Sequence, residues 1–466
     1  MPLLRSAAQP HVIGDTGELL ALAQQVVDQA GPGEQVECVV GRSRGTSVKA
    51  YGGEVESFTS AESFGLGIRV IVDHRQGFAH AGSHAPDVVA ATLAEARDNA
   101  TFGEPDEWNG LAEPDGVEAP VLDVYRDSLA SVSTAERIER ALELERMVRA
   151  ADTRISAVES ADYADGVSEG AVVSSTGIRA YSRETSCYVS VHCVATDGDD
   201  TQTGYGFSVG RSLDELDLDR AAADAARRAT RLLGATKPAS GRVTVVLDPY
   251  VTAQFLSIIG STLSGEAVIK GRSLFVDRLG EEVADGGFTL VDDATNPLAY
   301  SASETDGEGL ASRRNVLIED GVLRRFVHNA YTARRTGTSS TANAVRGFSS
   351  TPGVGCRALS LAPGTRLQPE LLAAVGDGVL ISSVSGLHSG VNPVSGDFSA
   401  GAEGLRIAGG ELAEPLREFT IASTLQRMMA EAGEVGADVE WLPMRAAGVS
   451  LVVGDVTVSG LSGLSG

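Results

Sequence analysis

Zinc-dependent hydrolysis needs two closely spaced neutral or anionic ligands on one face, a third from elsewhere, and an acid to activate water. Among the seven histidines, His80 and His84 have the right spacing for a helix. They fall in Gln76-Gly-Phe-Ala-His-Ala-Gly-Ser-His, which reads as a loop ahead of Pro86, so two solvated histidines are expected there. Cys187, His192 and Cys193 lie in an alternating stretch rich in β-branched residues. On a strand, 192 and 193 point to opposite faces and cannot share an ion, which leaves reduced core thiols. No histidine is followed by glutamate, so the His-Glu-x-x-His helix is missing. For nucleophilic chemistry, His328 or His388 could serve Ser389 or Ser395, and Cys356 is a further nucleophile to weigh; nothing in the spacing brings them together. Neither a Ser-x-x-Lys pair nor a phosphate-binding Gly-x-x-x-x-Gly-Lys-Ser/Thr loop occurs.

Composition narrows the setting. With 38 basic and 63 acidic side chains, the formal charge is 38 − 63 = −25, which argues against a chain that grips nucleic acid or an anionic membrane through its own field. Four scattered cysteines in 466 residues do not make a disulfide framework. The start, Met1-Pro-Leu-Leu-Arg-Ser-Ala-Ala, lacks the pattern of a signal peptide, and no apolar run reaches the roughly 18 residues of a spanning helix. A cytoplasmic protein without metal or cofactor of its own is expected.

The elements that must position any site follow from periodicity. Helices are expected over 16–30, 86–101 (Pro86 at the first position; Val89, Leu93, Ala96 and Ala100 inward), 134–151 (a Ser133-x-x-Glu136 capping box; Ile138, Leu142 and Val148 inward) and 217–233. Shorter ones are expected over 250–264, 369–375 and 424–432. Gly67–Asp73, Cys187–Val194 and Arg242–Asp248 read as strands. Slid by 129 residues without a gap, 77–101 falls on 206–230: Gly77-Phe78 meets Gly206-Phe207, Ala96 meets Ala225, and Ala100-Thr101 meets Ala229-Thr230. The expected fold is α+β, with duplicated α+β units over 1–110 and 111–236 and a β-rich C-terminal domain over 237–466. Its tail from Gly460 is expected to fray.

Three blocks mark the C-terminal half: Asp306-Gly-Glu-Gly with Arg313-Arg-Asn-Val-Leu-Ile-Glu-Asp-Gly321; Tyr331 to Asn343-Ala; and Val394-Ser-Gly-Asp-Phe-Ser-Ala-Gly-Ala-Glu-Gly404 leading to Gly409-Gly410. Taken alone, these are turn and edge-strand chemistry, with Glu319-Asp-Gly321 and Gly409-Gly410 as hairpin turns. Together they resemble the TldD/PmbA family, over nearly the whole chain and most specifically from about 240 to 455.

That resemblance implies a two-chain peptidase. One subunit, TldD, carries a His-Glu-x-x-x-His helix and a late cysteine for zinc; its partner, TldE or PmbA, lacks them. Here the corresponding helix falls within 250–272, where no histidine occurs, and no cysteine follows Cys356. Glu266 remains, and alone it reads as a solvated or ion-paired residue. The resemblance therefore implies the metal-free subunit, with no catalytic residue of its own and zinc in a TldD-like partner. The pair would form a cavity for unfolded or modified peptides, faced here by Thr341, Asn343, Ser395, Gly396 and Asp397. The alternative is a regulatory protein-binding module, acting on a toxin–antitoxin pair or on gyrase without proteolysis.

Overall fold

The computed structural model of the chain describes residues 16–460. The start, Met1–Ala8, read as lacking a signal-peptide pattern, and the fraying expected after Gly460 lie outside them. The N-terminal half is one antiparallel sheet built twice over. The first unit is α1 (Thr16–Val27), β1 (Gln35–Tyr51), β2 (Glu54–Val72), β3 (Arg75–Ala81) and α2 (Pro86–Phe102). A one-turn α3 (Asp127–Ala130) ends the connection. The second unit then repeats the order as α4 (Thr134–Ala151), β4 (Ile155–Ser174), β5 (Arg179–Asp197), β6 (Asp200–Gly210) and α5 (Leu218–Thr230). The sheet runs β3-β2-β1-β4-β5-β6, so the units meet symmetrically through β1 and β4.

Each unit closes its own core where helices cover one sheet face. Leu19, Val26, Leu93 and Ala96 pack on Val36, Cys38, Ile68 and Val70; Ala141, Leu144, Val148 and Ala225 pack on Tyr163, Val189 and Val191. The capping box of α4 forms as expected, with Ser133 Oγ accepting from Glu136 N. The buried stripe of α4 is Ala141, Leu144 and Val148; Ile138 and Leu142 sit only partly buried at its margin, which corrects the expected face. Glu145 is buried on this stripe because its carboxylate accepts from Gly52 N (2.9 Å) and Gly53 N (3.0 Å), tying the β1–β2 turn to the helix.

The duplication is real in three dimensions, but its ungapped alignment is two residues out in the strands. A Cβ on Gly77 would meet Ala96 O at 2.0 Å and Ala100 N at 2.3 Å; a Cβ on Gly204 would meet Ala225 O at 2.2 Å and Ala229 N at 2.5 Å. Gly204, rather than Gly206, therefore stands where Gly77 stands. The extra residues lie in the connection to α5, which makes a single 3-10 turn at Leu213–Glu215.

The C-terminal half is built around a barrel. β7 (Gly241–Leu247) lies between Gly378–Ser385, parallel to it, and Leu451–Ser459, antiparallel. Gly378–Ser385 pairs with Asp397–Ala408, which turns through Gly409-Gly410, both at positive φ, into Glu411–Thr424. That strand closes the ring on Leu451–Ser459 through Thr420–Ala422. The helix α6 (Pro249–Thr262), capped by Asp248, packs Val251, Phe255, Leu256 and Ile259 into the barrel core. Asp320 and Gly321, also at positive φ, make the expected second hairpin turn.

Candidate functional site

The open face of the N-terminal sheet and the loops of the C-terminal domain border a half-open cavity of about 820 Å³. Its floor is Val39–Ser43 of β1, Ser168–Val172 of β4 and Ala180–Glu184 of β5. Its walls are Tyr300–Gly307 and Ala344–Phe348, with Arg357 and Arg445. The first block thus supplies only the end of one wall, Asp306 and Gly307, and the end of the second block leads into the other.

A buried ionic network fixes the walls to the floor. Arg69 donates to Glu37 through Nε (3.1 Å) and Nη2 (3.0 Å), and its Nη2 lies 3.4 Å from Glu308 Oε1. Arg346 adds a second guanidinium on Glu37, and its Nε and Nη2 are buried with no partner among the described residues. Burial by itself would raise the Glu37 carboxyl; Arg69 and Arg346 outweigh it and hold the group below the usual carboxylate range. Glu308 Oε2 accepts from Ala330 N (2.8 Å) at the start of the Ala330–Thr336 helix. Nearby, Asp306 accepts from the backbone N–H groups of Glu308, Leu310 and Ala344. Burial, assisted by the Glu308 charge, pushes its carboxyl up to about 7.

Two further contacts complete the joint. The Phe348 ring lies on β2 where only glycine fits: a Cβ on Gly65 would come within 2.2 Å of the ring, and one on Gly67 within 2.0 Å of Phe348 O. Arg334 donates to the carbonyl oxygens of Trp108 (2.9 Å), Leu111 (3.1 Å) and Gly110, so the segment between the two N-terminal units is strapped to the C-terminal domain.

The residues singled out in the sequence occupy other places. Thr341 and Asn343 are buried behind the Ala344–Phe348 wall. Thr341 Oγ1 accepts from His328 N (2.6 Å), while Asn343 donates to Asp292 Oδ2 (2.6 Å) and Gly355 O (3.1 Å). Ser395 and Asp397 are exposed on a turn of the barrel, with Gly396 buried between them; Ser395 Oγ donates to Asp397 Oδ2 (2.6 Å) and Gly396 has φ +85°. None of the five lines the cavity within this chain.

Nucleophile and base are not assembled. His328 is buried with Nδ1 3.2 Å from Thr332 Oγ1, and burial pulls its imidazole down to about 4. Ser389 Oγ donates to Gly386 O, and the Cys356 thiol is buried and held protonated beside Gly260 O. Gly41-Arg-Ser43-Arg-Gly45 has the spacing of a nucleophile elbow, but it runs through the middle of β1, with Ser43 Oγ 2.7 Å from Ser63 Oγ; the strand-to-helix turn that an elbow needs is missing.

The zinc implied by the resemblance does not fit the residues present. The helix α6 holds no histidine, cysteine or acid along its length. Glu266 pairs with Lys270 at 2.5 Å, in keeping with its expected role. His80 is on β3, not in a loop, stacked on Phe78, and His84 follows β3 with its ring edge-on to Phe64. A strand and the turn after it do not share a helical face, so their spacing of four makes no ligand pair. On β5, Cys187 and Cys193 are buried while His192 is exposed, as alternation requires. Among the described residues, no group of three histidines, cysteines or acids is placed to hold an ion.

The sequence reading missed the ionic network. Its signals were Glu37 and Arg69, charges inside otherwise apolar strand runs, Val36–Val40 and Ile68–Val72.

Comparison with known proteins follows the same divisions. Residues 36–100 match the model of PmbA/TldA metallopeptidase domain 1, residues 127–233 its central domain, and residues 240–461 its C-terminal domain. The metalloprotease PmbA of Escherichia coli O157:H7 is 27% identical over 414 residues, covering 88% of this chain and 89% of that protein. A solved Bacteroides thetaiotaomicron protein, described as a candidate modulator of DNA gyrase, superposes with a TM-score of 0.86 at 26% identity, covering 97% of this chain and all of that one. TldE from Thermococcus kodakarensis shares the fold, with a TM-score of 0.85 at 24% identity over 95% of this chain and 99% of that one. With three family models spanning most of its length, the chain belongs to the PmbA/TldD metallopeptidase family.

Proposed function

We propose that this chain is the metal-free, TldE/PmbA-type subunit of a two-chain zinc peptidase. The observation that carries the reading is α6: at the place where the resemblance puts a zinc-binding helix, Pro249–Thr262 offers only hydroxyls, one amide and apolar groups. Zinc needs imidazole, thiolate or carboxylate at that spacing. The scaffold, by contrast, is intact, which suits a subunit kept for shape and assembly.

In this reading a TldD-like chain brings the metal, and the two subunits together enclose unfolded or modified peptides in the cytoplasm. The exposed Ser395 and Asp397 face the shared space on a turn shaped by Gly396, and Thr341 and Asn343 act from behind by holding the Ala344–Phe348 wall. Family relatives named metalloprotease PmbA support the peptidase setting. The gyrase-modulator description of solved relatives favours the regulatory alternative, but a charge of −25 is poorly suited to direct DNA contact. The test is to mix the purified chain with a TldD-like zinc protein and an unfolded peptide. Cleavage that requires both chains supports the proposal; zinc-dependent cleavage by this chain alone overturns it.

A further inference from the structure

We propose that the free edge of β2, Glu54–Ser63, is a docking site for an extended basic peptide, which joins the sheet as an added strand in line with β3. This rests on the reading of the chain as part of a peptide-handling complex and names where it would hold such a peptide.

β2 pairs with β1 from Glu54 to Ile71, but β3 covers its outer side only from Leu66 to Val72. Gly82 and His84 then reach Phe64, and no described residue pairs with the outer side of Glu54–Ser63. All ten residues of this stretch are exposed, on both faces of the ribbon. The edge presents roughly 34 Å of extended backbone with donors and acceptors facing solvent. It is also held in shape, because the Gly52-Gly53 turn that starts it is tied to Glu145 of α4.

The second unit shows what such an edge accepts. There, β6 covers β5 only from Cys187 onward, leaving Arg179–Ser186 open at the corresponding place. An extended stretch of the connecting segment lies against it: Thr185 N donates to Val124 O (3.0 Å), and Arg126 N donates to Thr185 Oγ1 (3.0 Å). The first unit has the same edge, longer, and among the described residues nothing of this kind lies on it.

Side chains select the occupant. Glu54, Glu56 and Glu62 lie on this stretch, and no basic residue does. Among antiparallel self-pairings that bring outward-facing backbone groups together, the two of greatest overlap would set Glu62 opposite Glu54 or opposite Glu56, and like charges directly opposite oppose pairing, so a second copy is a poor occupant. A strand carrying lysine or arginine answers the same carboxylates, as Lys49 of β1 already does for Glu56 at 2.6 Å. The exposed Val55 and Phe58 add apolar contacts, and a shallow hollow of about 370 Å³ over Gly45, Ala61 and Ala164 leaves room on one face. Backbone pairing makes the site tolerant of sequence, with charge as its filter.

The test uses the purified full chain alone, with two fluorescent twelve-residue peptides, one alternating lysine with valine and threonine, the other glutamate. The basic peptide is expected to bind at least about tenfold more tightly and to slow hydrogen exchange across Glu54–Ser63. Neutralising Glu54, Glu56 and Glu62 to glutamine removes the preference. Successive residues of a strand point their N–H groups to opposite sides, so of Thr59→Pro and Ser60→Pro one removes an outward donor and the other a bond to β1. The first of these keeps the melting temperature and loses binding about tenfold. Unchanged exchange at Glu54–Ser63 with the basic peptide in excess, equal affinity for the two peptides, or slowed exchange there through dimerisation without peptide would each overturn the proposal. Because no partner is present in this experiment, such a failure leaves the two-chain reading standing; a chain that binds the basic peptide here but never supports a zinc peptidase overturns that reading and not this one.

Discussion

At the scale of single residues, the junction between the halves depends on groups whose charge state the fold has altered. Arg69 answers two buried carboxylates, Glu37 and Glu308, and sits in a run of β2, Ile68–Val72, that otherwise reads as apolar. Arg69→Ala leaves them with too little positive charge in a buried setting, and a loss of about 3–5 kcal/mol in urea unfolding is expected. Asp306 and His328 make stability depend on pH in opposite senses. The Asp306 carboxyl is raised to about 7, so the stability it contributes is whole below the unfolded value near 4 and is lost as pH rises through 7. His328 is lowered to about 4, so its contribution is whole above about 6.5 and is lost as pH falls towards 4. Measured from pH 4 to 7, the gap in unfolding free energy between the native chain and Asp306→Asn narrows as pH rises, and the gap to His328→Gln narrows as pH falls. A constant gap in either series contradicts the assignment.

At the scale of elements, what was legible followed from local chemistry. The capping box at Ser133, Pro86 at the start of α2, alternation along β5 and the two Gly-containing hairpins all appear where residue type dictates. Three readings failed for one reason: they need tertiary information. The stripe of α4 turns towards Ala141 because the sheet packs there, β3 recruits His80 because β2 pairs with it, and the strand register of the duplication shifts to Gly204 because the alanines of α5 touch backbone there. This last point can be measured. Gly204→Ala and Gly77→Ala each force a methyl into helix backbone and should cost roughly 2–3 kcal/mol in thermal or urea unfolding. If either is silent, the helix does not lie where the structure puts it.

At the scale of the whole molecule, the halves are joined by the Arg69–Glu37–Arg346 network, the Phe348 contact and the Arg334 strap, which tie together the walls of the half-open cavity between them. Little of this was visible in the sequence, since Arg334 and the carbonyls of Trp108, Gly110 and Leu111 are joined across more than 220 positions. What the sequence did carry was the missing ligand set along α6, which needs no tertiary information to see. The measurement closest to the central claim is zinc content beside peptide hydrolysis, for the isolated chain and for its complex with a TldD-like chain. The account predicts no bound zinc and no cleavage for the isolated chain, with about one zinc per heterodimer and cleavage in the complex. Stoichiometric zinc in the isolated chain, accompanied by cleavage, would contradict it.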